Sequence, residues 1–100
     1  MYQRGGTVYI LTNPGKTVLY TGVTSDLSSR LREHIEKHYP DSFTAKYNCN
    51  QLIYFENFHS IEEAIEEEKR IKKLSRNGKE RLIDSKNPNR TVLNEEVLRW

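Results

Sequence analysis

Thr7-Val8-Tyr9-Ile10-Leu11-Thr12-Asn13-Pro14-Gly15-Lys16-Thr17-Val18-Leu19-Tyr20-Thr21-Gly22-Val23 is the stretch on which the fold turns. Its flanks, 7–12 and 17–23, are β-branched and aromatic, the residue types that suit a pleated, half-buried surface. Between them Asn13-Pro14-Gly15-Lys16 has turn chemistry, with proline presetting φ and glycine tolerating positive φ. Residues 7–23 therefore read as a β-hairpin. A symmetric turn centred on Pro14–Gly15 pairs Thr12 with Thr17 and, stepping outward, Tyr9 with Tyr20. The two tyrosines would stand directly opposite each other, Cβ atoms about 5 Å apart. A one-residue bulge would break that pairing.

Outward from the hairpin, Ser25 or Asp26 can cap a helix running to about His38 or Tyr39, where Pro40 stops it. Residues 40–50 read as an irregular connection. Gln51 to Phe58 (QLIYFENF) is rich in β-formers and reads as a third strand. Ser60-Ile61-Glu62-Glu63 is a capping box opening a helix that should reach Leu74. Ser75 can cap a shorter helix through about Ile83. Beyond Asp84 a Ser-Lys-Asn-Pro-Asn loop leads to a short terminal segment, 92–100.

These elements fill one domain, residues 1–100, with no linker, repeat or low-complexity tract. With 30% charged residues and a mean hydropathy of −0.84, the core should be small and the surface heavily charged. No apolar run approaches the roughly 20 residues of a membrane span. The start, Met1-Tyr2-Gln3-Arg4-Gly5-Gly6, lacks the apolar region and cleavage site of an export signal, which makes the cytoplasm the expected location. Cys49 is the only cysteine, excluding an internal disulfide and any cysteine-rich zinc site. A zinc site on His34 and His38, four apart on one helix, is disfavoured because its other candidate ligands (Asp41, Cys49, His59) are scattered.

Net charge is only +2, but its distribution is uneven. Six acids and no base occupy Glu56 to Glu68, whereas Lys69 to Arg81 holds seven bases against Glu80. The run including Lys69, Lys72, Lys73, Arg76 and Lys79 can hold phosphates. The reading that charge alone favours is a helix charged to match its macrodipole.

One acid lies on the wrong face. At about 100° per residue, Ile61, Ala64, Ile65 and Ile71 form the inward stripe of the second long helix, and Glu68 falls about 20° from Ile61. A carboxylate there must find a cation, a metal or hydrogen-bond donors, or become neutral. An internal ion pair with Arg30 or Lys72 competes with a metal-ligand role. On the first helix Arg30 and His34 stand one turn apart, along the edge of a buried side formed by Leu27, Leu31 and Ile35, so their side chains can converge; a snorkelling surface arginine beside a half-buried histidine is the competing reading. Two phenols, a guanidinium, an imidazole and one carboxylate form a toolkit for phosphodiester hydrolysis. A metal on the carboxylate polarises the phosphate, and the guanidinium neutralises developing charge. A tyrosine, or a water it orients, delivers the nucleophile. At neutral pH that requires a nearby cation to lower a phenol pKa of about 10.

In these residues the sequence resembles the GIY-YIG nuclease family. Thr7-Val8-Tyr9 and Tyr20-Thr21-Gly22 stand for the two signature triplets. Asp26-Leu27-x-x-Arg30-Leu31-x-x-His34 follows, and Ala64-Ile65-Glu66-Glu67-Glu68-Lys69-Arg70-Ile71 carries the later glutamate. The likeness runs over roughly 7–90 and is greatest to small stand-alone members resembling the N-terminal nuclease domain of an excinuclease. It implies an α+β fold whose three-stranded antiparallel sheet, hairpin plus third strand, carries the site among flanking helices. By position it makes Tyr9, Tyr20, Arg30, His34 and Glu68 catalytic, with Glu68 the ligand of one Mg²⁺ or Mn²⁺. It further implies a DNA endonuclease, structure-specific or repair-related. Which tyrosine activates water stays open. Gly22 would permit close backbone approach. Thr7 and Thr21 depart from the signature Gly and Ile, which should shift geometry rather than remove chemistry. With no appended DNA-binding domain, target choice would fall to the basic run, a homodimer or a partner protein. The alternative is a catalytically silent nucleic-acid-binding or docking module on the same fold. Cys49 reads as a small half-buried hydrophobe, and Tyr39, Phe43 and Tyr47 as packing under the 40–50 connection rather than stacking on bases.

Overall fold

The computed structural model describes residues 5–100; the N-terminal reading as no export signal falls largely on residues 1–4, outside the described residues. In chain order the elements are β1 (Gly6–Thr12), β2 (Leu19–Thr24), α1 (Leu27–Ile35), α2 (Phe43–Lys46), β3 (Gln51–Phe58), α3 (Ile61–Lys72), α4 (Arg76–Lys86) and α5 (Asn94–Leu98). The strands form one antiparallel sheet in the order β2-β1-β3, flanked by helices, the α+β architecture expected.

Every residue of β1 is buried, because helices cover both faces of the central strand. Alternation divides its side chains between two cores. Val8 and Ile10 pack with Tyr54, Ala64, Ile71 and Ile83 beneath α3 and α4. Tyr9 and Leu11 pack with Leu27, Leu31, Cys49, Leu52 and Val97 beneath α1 and α5. Cys49 is fully buried rather than half-buried, and burial pushes its thiol pKa up.

The hairpin differs from its expected register. Tyr9 pairs with Gly22 and Leu11 with Tyr20, so the tyrosines are diagonal neighbours rather than opposites. The cause is Asn13. Its side-chain oxygen accepts hydrogen bonds from Thr17 N (2.9 Å) and Val18 N (3.0 Å). Thr12 Oγ1 donates to Val18 O at 2.7 Å, and Lys16 takes a left-handed conformation. The loop thereby absorbs residues 17 and 18, and β2 begins at Leu19. A slip of two residues preserves facing, so both phenols remain on the α1 side.

Asp26 caps α1 by accepting from Ser29 N. The helix ends at Ile35, earlier than expected, because Lys37 turns left-handed and its ammonium reaches Asn48. The 40–50 connection is not wholly irregular: Ser42 accepts from Ala45 N and opens the single turn of α2. Strand β3 occupies the expected range but carries a bulge, since Ile10 pairs with Tyr54 and Leu11 with Leu52, leaving Ile53 as the extra residue. The capping box of α3 is formed, although the helix stops at Lys72 rather than Leu74. Helix α4 continues to Lys86, past Ile83.

Two asparagines hold the C-terminal segment against β3. Asn87 Nδ2 donates to Ile53 O (2.9 Å) and to Thr91 O (2.8 Å). Asn94 accepts from Leu52 N (2.7 Å) and donates to Asn50 O (2.8 Å). Leu93 N completes the seam on Leu52 O. Residues 92–100 are thus a folded part of the second core, with Trp100 edge-on to Phe55.

Candidate active site

The α1 face of the hairpin brings Tyr9, Tyr20, Arg30 and His34 together. Tyr9 projects from the central strand across Gly22 of β2. A Cβ at Gly22 would stand 2.5 Å from the Tyr9 hydroxyl, so only glycine lets the ring lie there. The phenol reaches His34 Nε2 at 3.0 Å. The rings of Tyr9 and Tyr20 lie 6.4 Å apart, and each is within 6 Å of the imidazole. Their surroundings depend on α1: Leu27 and Leu31 anchor the helix, and along its edge, one turn apart, half-buried His34 reaches Tyr9 while Arg30 stays exposed beside it.

Burial raises the Tyr9 pKa above its ordinary value, and the charges of Tyr20 and Glu68 add to the rise. The Arg30 guanidinium, by charge and hydrogen bonding, acts the other way and loses. The nearby cation therefore does not make this phenol acidic. His34 is shifted downward, first by desolvation and then by Arg30, with Glu33 opposing. It is neutral at pH 7 and has both ring nitrogens engaged, Nε2 by Tyr9 and Nδ1 by Thr44 Oγ1 at 2.9 Å. His38, the other histidine of the helix pair, packs edge-on to Tyr39.

Glu68 comes from α3 on the other side of the sheet, close enough for its charge to act on the Tyr9 phenol. Its side chain is 14% exposed and carries an ion pair to Lys72 Nζ at 2.9 Å. Of the two cations weighed for it, Lys72 is the partner. Arg30 pairs instead with Glu33 through Nε (3.1 Å) and is 45% exposed, so much of its guanidinium faces solvent at the mouth of the site. A cleft of about 160 Å³ opens there, lined by Tyr20, Arg30, His34, Lys37, Phe43 and Thr44 among others. Tyr39, Phe43 and Tyr47 are exposed rather than packed under the loop, with Phe43 stacked on Tyr20 and touching Tyr47.

A family model described as the GIY-YIG catalytic domain matches residues 5–81. The chain belongs to the GIY-YIG family. Membership places it among nucleases. It is 39% identical over 83 residues to a UPF0213 protein of Syntrophus aciditrophicus, covering 83% of this chain and 93% of that one. Identity to the UPF0213 protein CPE1444 of Clostridium perfringens is 41% over 83 residues, 79% of this chain and 83% of the relative. Among solved structures, the solution NMR structure of the UPF0213 protein BH0048 from Bacillus halodurans superposes with a TM-score of 0.56 at 32% identity, covering 84% of this chain and 87% of that one.

Both departures from the GIY-YIG signature are absorbed in the sheet. Thr7 is fully buried and donates to Asn57 Oδ1 at 2.8 Å, and Thr21 is buried in β2. The basic run is partly consumed. Lys69, Arg70 and Lys72 occupy the last turn of α3, as the macrodipole favours. Arg70 binds Glu67 through two nitrogens, Lys72 pairs with Glu68, and Arg76 pairs with Glu80 while donating to Thr17 O. Lys69 and Lys73 are exposed, and Lys79 is half-buried. Thr44, which meets His34, and Ser42, which meets Thr44, gave no sequence signal, because their segment read as a loop. No helix among the described residues is long and apolar enough to cross a membrane.

Proposed function

We propose that this GIY-YIG chain is a divalent-metal-dependent endonuclease that hydrolyses DNA phosphodiester bonds. The observation that carries this reading is the buried Tyr9–His34 contact, with Arg30 and Glu68 both acting on the same phenol. Tyr9, Tyr20, Arg30, His34 and Glu68 are the catalytic set. With its pKa raised, Tyr9 is not a phenolate at neutral pH. It can accept a proton from the attacking water only while passing its own to neutral His34. Tyr20, diagonal to it at the edge of the cleft, offers its hydroxyl to the phosphate or the water. Arg30 places fixed positive charge where the pentavalent transition state gathers negative charge.

A metal fits the donor chemistry. Glu68 presents hard oxygen ligands on an inward face where a cation, the Lys72 ammonium, already sits, and that lysine is exposed enough to swing away. Mg²⁺ or Mn²⁺ commonly takes one or two carboxylates and completes its shell with water and phosphate oxygens. When bound it supplies Lewis-acid stabilisation of the leaving oxygen.

Exposed Lys69 and Lys73, with Lys79 and the two engaged cations Lys72 and Arg76, would guide the backbone. Exposed Tyr39, Phe43 and Tyr47 suit DNA with unpaired bases near the cut, such as a flap, branch or single strand. DNA of that kind would suit a repair-related role, with a partner protein or a homodimer adding to target choice. The test is cleavage of labelled single-stranded, duplex, flapped and branched DNA with Mg²⁺, Mn²⁺ or chelator. Metal-dependent cutting that vanishes in Glu68→Ala supports the reading; cutting unchanged in Glu68→Ala overturns it.

The second reading, a silent nucleic-acid-binding module, has one observation in its favour: Lys72 satisfies Glu68 without any metal. Salt-sensitive DNA binding with no cleavage in either metal would select it.

A further inference from the structure

We propose that Thr44 is a positioning residue for proton transfer, its hydroxyl fixing His34 in the tautomer that leaves Nε2 free to accept from Tyr9. The inference deepens the nuclease reading and rests on it for its functional consequence.

The polarity of the hydrogen bonds follows from donor counting. The Arg30 guanidinium, close enough for its charge to act on the Tyr9 phenol, carries donors only and offers no acceptor. The one proton of Tyr9 therefore cannot go to that side. The acceptor within reach is His34 Nε2, at 3.0 Å. Nε2 must then be unprotonated, and a neutral imidazole carries its hydrogen on Nδ1. That hydrogen points at Thr44 Oγ1, 2.9 Å away. Thr44 accepts it and directs its own hydrogen to Ser42 Oγ at 3.2 Å. Ser42 Oγ also accepts from Ala45 N as the cap of α2. The chain Tyr9–His34–Thr44–Ser42 is thus satisfied in one direction, anchored at its far end to backbone.

Thr44 is 4% exposed, so water does not replace its hydroxyl easily. Without it, Nδ1–H would have no partner, and the proton would move to Nε2. His34 would then donate to Tyr9 instead of accepting, and the phenol could not relay a proton from water.

Long-range ¹H–¹⁵N NMR of the full chain reports which ring nitrogen of each histidine is protonated, with His34 assigned by its loss in His34→Gln. The wild type is expected to show Nδ1–H at His34. Thr44→Val should shift His34 to Nε2–H and lower metal-dependent cleavage about a hundredfold, the scale of misplacing a general base. Thr44→Ser, which keeps the hydroxyl, should restore both. Adding Thr44→Val to His34→Gln should cost little more, since both act on one relay. Nε2–H in the wild type, or Nδ1–H retained in a folded Thr44→Val protein, overturns the proposal whatever the cleavage result. The expected tautomers in a wild type that cuts no DNA support the assignment of Thr44 and overturn the nuclease reading instead.

Discussion

Gly22 shows how one missing atom sets the site. Tyr9 lies across the β2 backbone where any side chain would collide with its ring and hydroxyl. Gly22→Ala should displace the phenol from His34 and cost about 1–3 kcal/mol of stability, read as a lowered urea midpoint. On the proposed mechanism cleavage should fall more than stability does, because the proton relay would run through the 3.0 Å contact. Glu68→Ala, by contrast, should leave the unfolding midpoint within about 0.5 kcal/mol, since a helical i,i+4 pair is worth little. It should lower cleavage by about three orders of magnitude. His34 gives a pH prediction. Its folded pKa lies below the usual 6.5, so the native state resists protonation. Stability is full above about pH 6.5 and is lost as pH falls through the folded value. Urea midpoints measured across that range should slope in the wild type and flatten in His34→Gln.

At the scale of elements, much was legible and the exceptions have physical causes. Strand β3 and the capping box of α3 came directly from residue types with local effects. Helical periodicity also singled out Glu68 as the one inward acid of its segment, and its partner Lys72 was among the candidates. The hairpin register was not legible, because Asn13 reaches four and five residues ahead to tie Thr17 and Val18 into the loop. Turn propensity weighs Pro14 and Gly15 and does not see a side chain that extends the loop beyond them. Thr44 was hidden for a different reason. Its role arises when the 40–50 segment folds back onto α1, a contact that no local pattern encodes. Nor was the burial of Tyr9 visible, and it is that burial which makes the phenol a reluctant acid. Asn87 likewise looked like part of a Ser-Lys-Asn-Pro-Asn loop but serves the bulge in β3. Asn87→Ala would orphan Ile53 O and Thr91 O, and should cost about 2 kcal/mol in chemical denaturation.

For the whole molecule, the electrostatics are modest. Net charge is +2, and Arg70, Lys72 and Arg76 are already paired with acids on their own helices. If Lys69, Lys73 and Lys79 meet phosphates, log–log plots of DNA affinity against salt should slope by about −2 to −3, and replacing both Lys69 and Lys73 with Gln should flatten the slope by nearly 2. A slope near −6 would show that the paired cations let go of their acids to bind DNA.

The seam along β3 has a consequence for how the protein behaves in a crowded solution. A terminal strand of a sheet offers its outward amides and carbonyls to any other chain in extended conformation, and Gln51–Phe58, apolar and aromatic over much of its length, is suited to self-association. Here those groups are taken one by one: Leu52 by Leu93 and Asn94, Ile53 by Asn87, and Phe55 by the Lys86 ammonium. The segment after α4 therefore acts as an intramolecular gatekeeper. A chain cut after Lys86 should bind amyloid dyes and sediment as aggregate at concentrations where the intact protein stays dispersed.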